Sequence, residues 1–276
     1  MQGRNQHHRF SNAKRAFAAI GSVVMLLLSG CRTTYITQVQ DRDTLYQVAP
    51  FLYVLSGNYD GAITVSQFKA AGTLGIGTFD GLDGEAILID SVVYQSKGDG
   101  SVVVPNASLH MPFGACTLFD SDQRRRMKHI PSFEAFAKAL EASFGDKQIF
   151  YAIRADGLFK SVRVRNCDKQ EKPYRPLAEV TKNQHEITFE NIKGSLVGFW
   201  SPPTTPAAIG VPGFHLHFIS DDRSKGGHVL DLQSDSLDIT LDPTPRITVD
   251  FSTPVTVSLQ ATNVEQQVHS SEGGYP

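Results

Sequence analysis

Residues 213–231 read GFHLHFISDDRSKGGHVLD, a stretch with three histidines, His215, His217 and His228. In a β-strand, alternate side chains share one face and stand roughly 6.6 Å apart along the strand. The His-x-His pair can therefore offer two imidazoles to a single ion. Residues 221–227, DDRSKGG, are rich in turn formers, and Gly226-Gly227 can take positive φ. The chain is expected to fold back here as an antiparallel hairpin that carries His228 up beside the pair. Three imidazoles without a fourth protein ligand form the donor set of a catalytic metal site with an open position. His-x-His also suits a plain polar strand face, so the rest of the chain has to decide.

Around this hairpin the pattern is rich in strands. Residues 187–192, 195–200, 237–241 and 247–251 alternate or run apolar and read as β-strands. Residues 149–154 and 159–165 read as paired strands around Ala155-Asp156-Gly157. Earlier, residues 74–79 and 86–93 read as strands joined by a glycine-rich turn at residues 80–85, with further strands at 102–104 and 115–119. Two helices are expected. Residues 64–71 (TVSQFKAA) are closed by Gly72, and residues 132–144 have Ser132 as N-cap and Gly145 as stop. The basic run at residues 124–128 reads as a solvated loop, and residues 171–176 as an extended link. The fold class is α+β with a mostly antiparallel C-terminal part. The chain shows no internal repeat and no phosphate-binding glycine loop.

The chain has 276 residues. Arg4, Arg9, Lys14 and Arg15 form a basic start, an apolar run follows to Leu28, and Leu28-Ser29-Gly30-Cys31 ends it. That run is short for a membrane span and has the layout of a secretory signal peptide. Its end resembles the lipobox of bacterial lipoproteins, which makes Cys31 the expected lipid-modified N-terminus and the only membrane contact. Residues 31–44 then form a polar tether. The resemblance places the protein in the bacterial envelope, at the periplasmic face of the outer membrane in a Gram-negative cell. Residues 1–30 hold four basic groups and no acidic ones. Their removal leaves 22 Lys+Arg against 28 Asp+Glu and moves the formal charge from −2 to −6. An acidic chain of this kind is not a nucleic-acid binder. Cys116 and Cys167 are the remaining thiols, and the sequence leaves their pairing open.

Several motifs together resemble the α-acetolactate decarboxylase family: Tyr46-Gln47-Val48, Gly61, GIGTFDGLDGE at residues 75–85, QEKPYRPL at 170–177, and the histidine segment itself. The resemblance runs from about Leu45 to Glu272. It implies an N-terminal lobe, about residues 45–185, with a mixed sheet and helices. It also implies a mostly antiparallel, barrel-like C-terminal lobe, about residues 186–276, that carries the metal hairpin, and a homodimer. It further implies a Zn²⁺ ion on His215, His217 and His228. By position, Glu85, Thr78, Arg165 and Glu272 match the family's other active-site groups. The match at Glu272 requires a shortened connection before it, and Glu265 stands only seven residues away.

The implied reaction is decarboxylation of 2-acetolactate to acetoin, or of a related 2-hydroxy-3-oxo acid. Loss of carbon dioxide leaves an electron pair that must be delocalised into the adjacent ketone as an enediolate. A chelated metal stabilises that charge. A guanidinium suits the substrate carboxylate, a carboxyl group of raised pKa suits proton return, and a threonine hydroxyl suits substrate orientation. Asp221, Asp222 and Asp231 are candidate acceptors for the far ring nitrogens of the histidines, although turn formation explains the first two. Alternatives on the same donors are a three-histidine hydrolase or oxygenase, and a lipid-anchored module that binds a metal or ligand without turnover.

Overall fold

The computed structural model describes residues 42–251 and 264–272. The expected signal peptide, the Cys31 lipidation site and the tether up to residue 41 lie outside these residues.

Seven strands form one sheet. In chain order they are β1 (Thr44–Val48), β3 (Leu74–Thr78), β4 (Glu85–Ile89), β5 (Val92–Ser96), β6 (Val102–Val103), β8 (Phe113–Thr117) and β14 (Arg246–Asp250). The short β2 (Ile63–Thr64) and β7 (His110–Met111) pair apart. The sheet order is β14-β1-β8-β3-β4-β5-β6, with β1 and β14 parallel and the other neighbours antiparallel, so the sheet is mixed. Five strands form the second sheet: β9 (Gln123–Ile130), β10 (Phe150–Asn166), β11 (His185–Ser201), β12 (Gly213–Ser220) and β13 (Gly226–Thr244). Here β10 pairs with both β11 and β13, β12 lies between β11 and β13, and β9 flanks β13. Strands β9 and β10, which precede residue 185, join the second sheet, and β14 returns to the first.

Helices α1 (Phe51–Leu55), α2 (Val65–Ala71), α3 (Phe133–Glu141), α4 (Leu177–Val180) and α5 (Val264–Glu272) cover the sheets. In α2, Thr64 and Gln67 form a reciprocal capping box, the pairing that a T-x-x-Q start favours. In α3, the Ser132 hydroxyl accepts from Ala135 N–H, while Phe136, Ala137 and Leu140 enter the core. Leu45, Ile76, Ile87 and Ile89 of the first sheet pack with Ala152, Val197, Phe199 and Ile219 of the second. Burial of each large side chain there contributes about 1.5–3 kcal/mol.

The structure corrects the sequence reading in several places. Residues 86–93 are not one strand, because Asp90 and Ser91 take φ of 51° and 61° and turn the chain between β4 and β5. Left-handed backbone at both central residues matches the twist of a two-residue hairpin. Conversely, residues 149–165 do not form a hairpin. Ala155-Asp156-Gly157 lies inside the continuous strand β10, and Gly157 is there because a Cβ would meet Ser236 O at 2.9 Å and Leu237 Cδ2 at 2.8 Å. Residues 187–200 likewise form one strand, β11. The basic run is strand β9, with alternate residues exposed. Helix α3 stops at Glu141, before Gly145. Gly72 ends α2 in extended backbone and packs against Cys116. Cys116 and Cys167 are free, buried thiols, and burial pushes the Cys167 thiol up to about 12.

Candidate active site and metal centre

Strands β12 and β13 form the expected hairpin, with His217 directly opposite His228. The tight backbone in its turn is supplied by Arg223, at φ 59°, rather than by Gly226. Gly227 does take the expected positive φ, at 151°, and a Cβ there would also meet Asn166 Nδ2 at 2.7 Å and Val164 Cγ2 at 2.8 Å, so it lets β13 lie close against β10. On the far side of β13, His228 pairs with Arg165 of β10. Three adjacent strands thus present His217, His228 and Arg165 in a row, and His215 follows two residues along β12.

The three imidazole centroids stand 5.1–5.4 Å apart, and one ring nitrogen of each lies within 4.8 Å of the others. In two of the three rings the other nitrogen is tied to backbone. His217 Nδ1 donates to Ala86 O at 2.9 Å, and His228 Nε2 donates to Glu272 O at 3.1 Å. Each bond fixes a ring and leaves its other nitrogen free to face the shared space. Burial, with the nearby Arg165 charge, lowers the His215 pKa to about 3; burial also lowers those of His217 and His228 well below the ordinary value. The imidazoles are therefore neutral and keep their lone pairs. This set fits a divalent transition metal. His217 Nε2, Arg165 Nε and Glu272 Oε2 are buried without hydrogen-bond partners, as groups awaiting a ligand would be.

Glu85 opens β4 opposite Thr78. The Thr78 hydroxyl donates to Gly84 O at 2.8 Å and so holds the turn that delivers Glu85. Glu85 Oε2 lies 3.5 Å from His217 Nε2, and burial pushes its carboxyl up to about 7, against the pull of Arg165. Glu272, at the end of α5, is no frayed tail, since Val268 packs into the cluster of Phe51, Leu177 and Phe113. Its Oε2 stands 3.3 Å from Arg165 Nη2, 3.3 Å from His215 Nε2 and 3.7 Å from His228 Nδ1. A carboxylate thus shares the space before two of the imidazoles, which the histidine spacing did not anticipate. Burial raises its pKa, opposed by Arg165.

The three histidines expected to hold a metal thus meet Thr78, Glu85, Arg165 and Glu272 in one region, and six of these seven, with His217 immediately behind, line a cavity. Its other wall is apolar, formed by Phe51, Val54, Leu82, Phe113 and Leu177. Leu177 ends the QEKPYRPL motif, but nothing in the sequence around Phe51 or Val54 marked α1 as part of the site. The ring-orienting acceptors were also missed, because backbone carbonyls carry no sequence signal. Asp231 is not one of them: its Oδ1 accepts from Phe133 N–H at 2.8 Å and caps α3. Asp222 accepts from Ser220 and Ser224 within the turn.

The sequence profile of the alpha-acetolactate decarboxylase family matches residues 45–263. The chain belongs to this family. Alpha-acetolactate decarboxylase of Methanosarcina mazei is 41% identical over 202 residues, covering 73% of this chain and 70% of that protein. The Brevibacillus brevis alpha-acetolactate decarboxylase is 36% identical over 235 residues, covering 84% and 81%. The crystal structure of alpha-acetolactate decarboxylase from Bacillus subtilis superposes with a TM-score of 0.80 at 33% identity, covering 84% of this chain and all of that one. Glu272 lies past the end of the matched family profile, so its place in this decarboxylase-family site rests on the geometry of α5.

Proposed function

We propose that the chain converts 2-acetolactate to acetoin and carbon dioxide, with zinc as its metal on His215, His217 and His228. The observation that carries this reading is the meeting of three neutral imidazoles with Glu85, Arg165 and Glu272 around one cavity. A module that only bound a metal would need neither Glu85 nor Arg165 there. When bound, a zinc ion would act as a Lewis acid toward the hydroxyl and ketone oxygens of the substrate.

The protein's own groups supply the rest. Arg165, buried beside Glu272, binds the substrate carboxylate with its guanidinium fork. As the carbon–carbon bond to the carboxylate breaks, its electron pair passes into the adjacent ketone. Glu85 then returns a proton to the carbon that lost carbon dioxide. Thr78 serves by fixing the Gly84–Glu85 turn, because its hydroxyl is already committed to Gly84 O. Glu272 balances the Arg165 charge and accepts from His228 through its main chain. The apolar wall of Phe51, Val54 and Phe113 takes the alkyl groups and keeps water from the reacting carbon. The closed run of pairings among β10, β11, β12 and β13 supports a barrel-like reading of the lobe that carries the histidines.

The test is acetoin release from racemic 2-acetolactate, measured before chelation, after it, and after zinc is added back. Zinc-restored turnover is the expected result. Folded, zinc-loaded protein that releases no acetoin would exclude this substrate.

A further inference from the structure

A second group of oxygens lies away from the histidine centre. Asp43 precedes β1, Asp122 precedes β9, and Asp242 stands near the end of β13. One carboxylate oxygen from each lies within 4.8 Å of the others. Asp43 and Asp122 are exposed, whereas Asp242 is fully buried. Asp242 Oδ2 accepts from Asp120 N–H at 3.0 Å, but its Oδ1 is buried without a partner. Thr244, two residues along and on the same face of β13, is also fully buried, and its hydroxyl has no partner either.

Clustered exposed carboxylates alone would mean little. Here the deepest carboxylate and a neighbouring hydroxyl are both sealed from water with unmet hydrogen-bonding capacity, a combination that proteins avoid. Arg42, next to Asp43 in sequence, pairs its Nη1 with Asp120 Oδ2 at 2.6 Å. Among the described residues, none of the three clustered carboxylates has an ion-pair partner.

We propose that Asp43, Asp122 and Asp242, with the Thr244 hydroxyl, form a binding site for a calcium-like divalent cation, separate from the histidine centre. All the donors are hard oxygens, which suit calcium or magnesium rather than zinc. Calcium accepts irregular sets of about six to eight oxygens, carboxylates and waters together, whereas magnesium demands near-ideal octahedral geometry and keeps most of its waters. Three carboxylates and a hydroxyl brought together from separate strands suit the larger ion. The exposed side at Asp43 and Asp122 leaves room for water to complete the coordination. Such an ion would bridge the start of β1 in the first sheet to β9 and β13 in the second.

Isothermal titration of calcium chloride into the full-length, zinc-loaded, calcium-free protein tests this. One calcium per chain is expected, with a Kd in the range of about 10⁻⁵–10⁻³ M and weaker binding of magnesium. A D43N/D122N variant, altered only at exposed positions, should bind calcium at least about tenfold more weakly yet release acetoin like the parent. Absence of saturable calcium binding to the parent would overturn the site, as would unchanged affinity in the double variant. Equal affinity for magnesium would overturn its assignment to calcium.

Discussion

Glu85 and Arg165 line the same cavity, and the proposed reaction gives them different parts of the substrate. Glu85 touches the imidazole row through His217 only, and its raised pKa comes chiefly from burial. Replacing it by glutamine keeps the shape and removes the proton. In a Glu85→Gln variant kcat should fall about 10²–10⁴-fold while zinc content and KM stay near the parent's. Turnover within about twofold of the parent would exclude Glu85 as the proton donor. Arg165, also buried, is paired with Glu272 and shaped to grip a carboxylate. Lysine keeps its charge but not the planar fork. Arg165→Lys is expected to lower kcat/KM by about 10- to 100-fold. Steady-state kinetics with 2-acetolactate would show a parent-like value if only charge were needed.

At the scale of elements, the hairpin of β12 and β13 does two jobs. Its near end carries the histidines, and a few residues on, Asp231 caps α3 through Phe133 N–H. Removing that cap in Asp231→Ala should cost about 0.5–2 kcal/mol of stability, read as a lower midpoint of denaturant unfolding. Zinc affinity and KM should not move. Weakened zinc binding would instead mean that Asp231 helps to orient the histidines. The element reading was least accurate where glycine had two possible meanings. Gly157 suggests a turn between two strands, and residues 193–194 separate two expected strands, but Gly157 and Gly194 both lie inside long strands, where the absent side chain lets a neighbouring strand come close. The turn at Asp90-Ser91 was missed for the converse reason, since it contains no glycine.

For the whole molecule, the site is a seam. The histidines belong to the five-stranded sheet, Glu85 and the Ala86 carbonyl to the seven-stranded sheet, and Glu272 to the last helix described. An ion held by the native arrangement but not by the unfolded chain stabilises all three together. Zinc at a hundredfold excess over its Kd should raise the melting temperature by about 5–10 °C over the chelated protein. Differential scanning calorimetry that gives the same melting temperature with and without zinc would show that the ion does not tie these elements together.

The sequence by itself determined the donor chemistry. His-x-His on one strand face, a turn-rich segment and a third histidine suffice to form the hairpin, because strand alternation and turn propensity act over a few residues. The joint motifs also pointed to the family and to Glu85, Arg165 and Thr78. Only the tertiary structure decided how those groups meet. The carbonyl that orients His217 comes from 131 residues away, and the one that orients His228 from 44. The pairing of Arg165 with His228 depends on β10 running unbroken, and the approach of Glu272 depends on Val268 seating α5 against α1 and α4. Such contacts are set by close packing of whole faces, and packing acts between residues whose separation along the chain carries no periodic signal.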